Sequence, residues 1–324
     1  MRVEYLRYIL EIDEQHSISA AAQKLYLGQT TLSTILKCTE KELGFQIFER
    51  TRSGVRATPE GEKAMALMRS INASCDNMRN LSSMNAINRQ PVSIIASPSI
   101  HCGIAMEVSR RFLEQEPDGN LYFRVYSGEK IASKIIRNDS NIGITYYRLG
   151  DFKDVSLVLS KYQAEVSRVL EDHLYLIVRK DHPLALAERI SIHELQNMNI
   201  AIIPYYNVAD STFVYTLFQG KNNVYTTYPS VSVIKRAVLS QNIASILSGY
   251  AIHYGDREAI DNSQFATVLL EDTSRRNEQL MCLIHRNNAY LNYNERVALS
   301  CLENYFAELE PPPFSPEAKK KKRK

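Results

Sequence analysis

Ser17-Ile18-Ser19-Ala20-Ala21-Ala22-Gln23-Lys24-Leu25, then Leu27-Gly28-Gln29-Thr30-Thr31-Leu32-Ser33, then Phe48-Glu49-Arg50-Thr51-Arg52-Ser53-Gly54-Val55-Arg56, closing on Thr58-Pro59-Glu60-Gly61, is the stretch that decides the fold. Two short helical patterns around a glycine turn, followed by a glycine-tipped basic hairpin, predict a winged helix-turn-helix. Ser19 is the expected N-cap of the first helix, in which Ala20 to Ala22 are small enough for another helix to cross closely. Gly28 supplies the turn and the N-cap of the second. On that helix Leu32, Leu36 and Leu43, with Ile35 beside them, share one face, while Gln29, Ser33 and Lys37, with Thr30 and Thr34, share another. The apolar face suits a core. The polar face carries the amide, hydroxyl and ammonium groups that read base edges and phosphates in a major groove. Gln29, Thr30, Ser33 and Thr34 are therefore the expected base contacts, and Lys37, Arg50, Arg52 and Arg56 the expected contacts to phosphate or minor groove. A solvated helix and an ordinary surface hairpin would account for any one of these residues, but poorly for the ordered set.

The set Ser17-x-Ser-Ala-Ala, Ser33, Glu40-x-Glu-Leu-Gly44, Phe48-Glu-Arg50 and Gly54-Val-x-x-Thr-Pro-x-Gly61 resembles the amino-terminal signature of LysR-type transcriptional regulators. Three positions depart from it. Gly28 stands where the family commonly has a Ser or Thr cap, Thr34-Ile35 replaces a common Arg-Gln pair, and Thr39 replaces a usual Leu. Loss of that arginine removes a phosphate or base contact and alters the expected target sequence, not the motif.

Working outward, 324 residues with 44% hydrophobic content are enough for two or three packed domains. No run of eighteen apolar residues exists, so nothing is expected to span a membrane. Acidic residues at Glu4, Glu11, Asp13 and Glu14 argue against a secretory signal. The five cysteines are odd in number and scattered, which argues against a disulfide ladder or zinc spacing and points to a reducing cytoplasm, which the resemblance implies is bacterial. The net charge of +3 misleads, because Lys319 to Lys324 alone carry six positive charges. Residues 1–90 hold twelve Lys and Arg against ten Asp and Glu, so DNA binding must rest on where charges sit.

Residues 2–14 read as a supporting helix with Val3, Leu6, Ile9 and Leu10 inward. Thr58 caps a further helix, with Pro59 at its first position and Glu60 and Glu62 in its first turn. Running to about Asn85, it places Ala64, Met68, Ile71, Cys75 and Met78 at coiled-coil spacing. A narrow stripe on a long helix needs a cover, either a partner chain or the chain's own effector domain. The resemblance implies the former, a dimerisation arm.

From Pro91 strands alternate with helices. Strands are expected at Val92–Ala96, Leu121–Val125, from Ile142, and at Leu174–Val178, Ile200–Ile203, Val224–Thr227, Ile243–Leu247 and Gln279–Ile284. Helices are expected at Gly103–Gln115, around Ile131–Ile136, and at Ser191–Asn197, Thr212–Phe218, Ser230–Leu239 and Leu291–Glu308. That pattern argues for α/β units with mostly parallel sheets. The resemblance implies a multidomain α and α/β chain. A winged helix-turn-helix (1–60) and a dimerising linker helix (61–88) precede a two-lobed effector-binding domain like type 2 periplasmic binding proteins (89–310). Lobe I would span about 91–162 and 267–310, lobe II about 163–266, and 311–324 would be a disordered Pro- and Lys-rich tail.

A small molecule is expected between the lobes, beyond the carboxyl ends of strands. Ser97, Ser99, Ile100 and His101, at a helix start, form a candidate anion site for a carboxylate, although Ser99 as a plain helix cap fits equally. The resemblance adds Ser127 and Glu129, where the family commonly has a ligand-binding hydroxyl; an acid facing the cleft would favour a zwitterion. Tyr146, Tyr205 and Tyr206 could give aromatic walls, with chance placement a serious competitor among nineteen tyrosines.

No nucleophile elbow, P-loop or His-Glu-x-x-His occurs, so neither an enzyme nor a cofactor or metal is expected. The reading is a sequence-specific, effector-responsive LysR-type regulator. Its partners would be an operator duplex, a small-molecule effector and itself, as dimer or tetramer. The alternative is a ligand-independent architectural DNA binder whose lobes only oligomerise. On the first reading, Arg52→Ala weakens binding to every DNA sequence and lowers the salt slope, whereas Gln29→Ala changes sequence preference. Equal effects of both on all operators, in titrations at several salt concentrations, would refute that division.

Overall fold

Every third or fourth residue of the first helix is apolar, and that stripe nucleates the amino-terminal unit. The computed structural model describes residues 2–51, 54–80, 91–195, 198–203, 225–255, 264–271 and 278–316. Helix α1 (Val3–Gln15) buries Leu6, Ile9 and Ile12, while Val3 is exposed. Helix α2 (Ile18–Lys24) is capped by Ser17, whose side chain accepts from Ala20 N at 3.3 Å, so the cap is Ser17 and not Ser19. Helix α3 (Gln29–Leu43) starts at Gly28 as expected and stops at Gly44, which is left-handed at φ +81°. Leu32 and Leu36 join Ala21, Ala22, Ile47 and Phe48 in one core with the α1 residues.

The wing is an antiparallel ribbon of β1 (Phe48–Thr51) and β2 (Gly54–Ala57). It is tied to the head by backbone: Val55 N donates to His16 O at 3.0 Å. Gly54 sits at φ +139°, and a Cβ there would lie 2.2 Å from His16 O, so both conformation and space demand glycine. Glu40 Oε1 accepts from Ile47 N at 2.8 Å and Phe48 N at 3.3 Å, anchoring the other strand. Thr58 Oγ1 accepts from Gly61 N at 2.9 Å, and a Cβ on Gly61 would strike Ile47 O at 2.1 Å. These motif residues are thus structural fasteners. Helix α4 (Pro59–Asn80) follows, and its Met65 and Met68 complete the same core.

The carboxyl-terminal region is built around β6 (Ala164–Arg179), a strand far longer than the expected Leu174–Val178. Its residues 164–173 pair antiparallel with β12 (Glu278–Arg286). Beyond, β6 pairs with β10 (Ala244–Ser248) and β11 (Phe265–Glu271). One strand therefore serves two sheets. On the lobe I side β3 (Val92–Ala96) lies parallel between β4 (Leu121–Val125) and β5 (Ile142–Arg148), and β5 pairs with β12. Helices α5 (Pro98–Gln115) and α10 (Tyr293–Glu308) cover one face of that sheet through Ile104, Val108, Phe112, Leu299 and Leu302. Helices α6 (Gly128–Ile136) and α7 (Phe152–Lys161) cover the other through Ile131, Ile135 and Leu159. In lobe II β10 runs parallel to β8 (Ile200–Ile202), which pairs with β9 (Tyr225–Thr227), while β7 (Arg189–Ser191) lies beside β11. Helices α8 (Val231–Gln241) and α9 (Gly249–His253) pack on it.

Several expectations change. The sheets are mixed, because the long β6 and β12 are antiparallel. The change of lobe falls inside β6, after His173, and β11 belongs with lobe II, so the boundaries at 163 and 267 both move. The helix expected at 191–197 is a short 3-10 turn, Ile192–Leu195, and that at Thr212–Phe218 lies outside the described residues. Residues 311–316 are packed and not disordered. Pro312 and Ser315 are buried, and the Phe314 ring stands edge-on to Tyr175 at 4.9 Å, carrying the chain from α10 onto lobe II. The run Lys319 to Lys324 lies outside the described residues.

Gly54→Ala is expected to lower the stability of the head by about 2 kcal/mol or more, through φ strain and the His16 clash together. Phe314→Ala should cost about 2 kcal/mol by opening a cavity beside Tyr175. Urea unfolding, followed for both variants against the parent, checks the two values.

Candidate functional site

The burial of Leu32, Ile35 and Leu36 fixes the rotation of α3 and turns its opposite face outward. Gln29, Thr30, Thr34 and Lys37 are exposed and Ser33 is half-buried, so the expected row is brought together on one surface. Thr34 Oγ1 donates to Thr30 O at 2.8 Å, which leaves that hydroxyl to act outward as an acceptor. Gly28 provides no side-chain cap, so the first N–H groups of α3 keep their positive partial charge for an external acceptor. Tyr26, not singled out by the sequence analysis, is left-handed at φ 55° and 97% exposed in the turn before α3. Its only sequence signal was an aromatic at a turn position.

The wing register divides the arginines. Arg50 lies opposite Val55, and Arg56 opposite Glu49, so the two guanidinium groups belong to opposite faces of the ribbon. Both are exposed, and Arg52 lies outside the described residues.

The linker stripe also divides. Ala64 is half-buried and Met68 is buried against α1 in the core of its own chain. Arg69 Nη2 reinforces that packing with an ion pair to Asp13 Oδ2 at 2.8 Å. Ile71 is 40% exposed, as is Leu67 at 57%, one turn earlier, and Cys75 is half-buried. The side chain of Met78 lies outside the described residues. Met68 thus packs into the head, and the exposed large apolar side chains of α4 among the described residues are Leu67, beside the stripe, and Ile71 on it.

In lobe I the carboxyl ends of the parallel strands β4, β3 and β5 converge. Ser97 N donates to Ile144 O at 3.0 Å, which draws the β3 exit against β5. The hydroxyls of Ser97, Ser99 and Thr145 are all buried, and none has a hydrogen-bond partner among the described residues. Other buried hydroxyls, those of Ser93, Ser156 and Ser167, share this state, but these three stand together at adjoining strand ends and the start of α5. Gly128, at the start of α6, brings its backbone so close that a Cβ would lie 2.8 Å from Thr145 Oγ1. Thr145 was missed by the sequence analysis because β5 reads there as an ordinary buried strand.

The other candidates fall out differently. Ile100 is fully buried in the lobe I core and cannot line a cleft. His101 packs edge-on to Phe123 at 5.8 Å, and burial lowers its pKa from the ordinary imidazole value. Ser127 is half-buried ahead of α6, and Glu129 is exposed in the first turn of that helix. Tyr146 is committed to the junction between lobes: its hydroxyl donates to Asp172 Oδ2 at 2.8 Å and lies 3.1 Å from Ser248 Oγ. Asp172 also accepts from Tyr250 N at 3.0 Å and His173 N at 2.7 Å, and burial pushes its carboxyl above the usual range. Tyr205 and Tyr206 lie outside the described residues. Burial pushes the Cys282 thiol up to about 12, which keeps it protonated and unreactive. Among the described residues no group of three or more His, Cys, Asp or Glu could hold a metal ion, and no helix is long and apolar enough to cross a membrane.

Comparison with known proteins matches both parts. Residues 3–62 match the bacterial regulatory helix-turn-helix protein, lysR family, and residues 86–306 the LysR substrate binding domain. A probable RuBisCO transcriptional regulator of Trieres chinensis is 24% identical over 278 residues, covering 83% of this chain and 86% of that protein. The HTH-type transcriptional regulator CysB of Haemophilus influenzae is 24% identical over 253 residues, covering 77% and 72%. Full-length LysG from Corynebacterium glutamicum, solved with its effector Arg bound, superposes with a TM-score of 0.63 at 14% identity, covering 96% of this chain and 100% of that one. The chain belongs to the LysR family: it is a DNA-binding transcriptional regulator with an effector-binding domain.

Proposed function

We propose that this regulator reads an operator through Gln29, Thr30, Ser33 and Thr34, with Lys37, Arg50, Arg52 and Arg56 holding phosphate or minor groove. The carrying observation is the solvent-facing polar row of α3, fixed in rotation by the burial of Leu32, Ile35 and Leu36 opposite it and flanked by a wing bolted to His16 and Glu40. Tyr26, beside the uncapped start of α3, joins this set as a backbone contact. A second copy of the chain pairs through the open linker positions Leu67 and Ile71, which lets two heads address a partly palindromic site. The protein acts on the chromosome in the bacterial cytoplasm and carries out no turnover.

The effector binds where Ser97, Ser99 and Thr145 present buried hydroxyls, without partners among the described residues, beside Ser127 and the start of α6. Hydroxyl donors and helix N–H groups, with no cation or acid among these described residues, favour a small carboxylate. Glu129 stands exposed in the first turn of α6, outside the buried hydroxyl cluster. Occupancy changes lobe closure and hence the spacing or bend of the bound DNA.

Sequencing the genomic fragments retained by the protein defines the operator. On that DNA, Lys37→Ala and Arg50→Ala should each reduce the salt slope by about one while keeping sequence preference, and Gln29→Ala should alter preference. In thermal-shift screening with carboxylate metabolites, Thr145→Val should weaken the responding compound about tenfold. A screen in which parent and variant respond alike sinks the assignment of the effector site.

A further inference from the structure

Helix α6 joins the two functional regions of this chain. Its first residue, Gly128, lies against Thr145 in the effector site. Its body is clamped to the sheet, because Ile131 and Ile135 are fully buried and Gly143 leaves no room beneath them. A Cβ on Gly143 would lie 2.7 Å from Ile131 Cγ2 and 3.3 Å from Ile135 Cδ1. A helix held this tightly moves as a rigid body and does not absorb a displacement along its length. Just beyond its last turn stands Asn138, left-handed at φ 60°, a conformation that asparagine tolerates better than most residues. Asn138 Nδ2 donates to the Ala66 carbonyl of the linker helix α4 at 3.1 Å. Its Oδ1 accepts from Arg286 Nη1, at the end of β12. Arg286 is almost wholly buried and its guanidinium lies over the Tyr290 ring at 4.7 Å, so the far anchor of this amide is fixed too. Ala66 is flanked by Met65 and Met68, which belong to the core of the reading head.

We infer that α6 is the mechanical link of the regulator, with Asn138 as the positioning residue that passes displacement from the effector site to the linker helix and its head. Resting on the effector site proposed above, it assigns that site its route of regulation. A ligand seated against Thr145 and the start of α6 shifts the helix. The Asn138 amide, held between Arg286 and Ala66 O, carries the shift to α4, and the head follows because it shares a core with α4.

The link can be tested without knowing the ligand, on the full chain, by amide hydrogen exchange in α4. Gly128→Ala pushes on α6 at the effector end, and Gly143→Ala pushes on its middle, so either variant supplies the displacement if the other fails to fold. Each should change the exchange of amides near Ala66 by about threefold or more, as a local opening equilibrium would. Asn138→Gly keeps the left-handed backbone and removes both side-chain bonds. Combined with either glycine variant it should return α4 to the exchange of Asn138→Gly alone, a coupling that a merely structural residue would not show. Asn138→Asp, which keeps the acceptor for Arg286 and loses the donor to Ala66 O, should uncouple in the same way. Unchanged α4 exchange in both glycine variants overturns the proposal, as does an effect that persists without the Asn138 amide. Failure to retain any DNA would sink the operator reading, while the exchange data would still judge the link.

Discussion

The burial of Met65 and Met68 of the linker helix in the same core as Leu6, Ile9, Ile12 and Leu32 is the constraint on which the rest depends. Each methionine contributes about 1.5–3 kcal/mol from burial, which makes α4 an inseparable part of the head. The α4 axis therefore dictates where α3 points. Whatever holds or moves α4 aims the polar row of Gln29 to Lys37. The part-buried Arg69–Asp13 ion pair ties α4 to α1 at the same angle.

A second constraint operates in the effector region, where β6 belongs to both sheets. Its pairing changes between His173 and Leu174, which is where the two sheets meet along this strand. Asp172 sits there, enclosed and gathering donors from Tyr146, His173 and Tyr250. A buried carboxyl is costly without such donors, which explains why residues from both lobes converge on it. The packed carboxyl end, with Phe314 against Tyr175, forms a further bridge across the same junction.

Much of the head was legible in its motif because each motif residue answers a local demand. Gly44 and Gly54 have positive φ, Gly54 and Gly61 approach carbonyls too closely for a Cβ, and Thr58 with Pro59 opens a helix. The cap of α2 was misplaced because Ser17 and Ser19 offer the same hydroxyl, and only the backbone path chooses between them. The length of β6 was hidden by its burial pattern, polar and partly exposed over 165–171 and buried on both faces over 174–178. A period-based reading sees only the second part. Helix α7 was missed because Leu157 and Val158 are exposed, which blurs its apolar stripe.

By itself the sequence determined the reading head, the order of its elements and the polar face of α3, because capping, turn chemistry and helical period act over a few neighbouring residues. Alternating strand and helix patterns also determined that an α/β region follows, while its division into two lobes came from the family resemblance. Only the tertiary structure decided which side of the linker helix is spent on the head, that Arg50 and Arg56 lie on opposite faces of the wing, and that Ser97, Ser99 and Thr145 come together without partners among the described residues. The reason is physical: those outcomes depend on strand register and on packing between segments far apart in the chain, for which no single stretch carries a local signal.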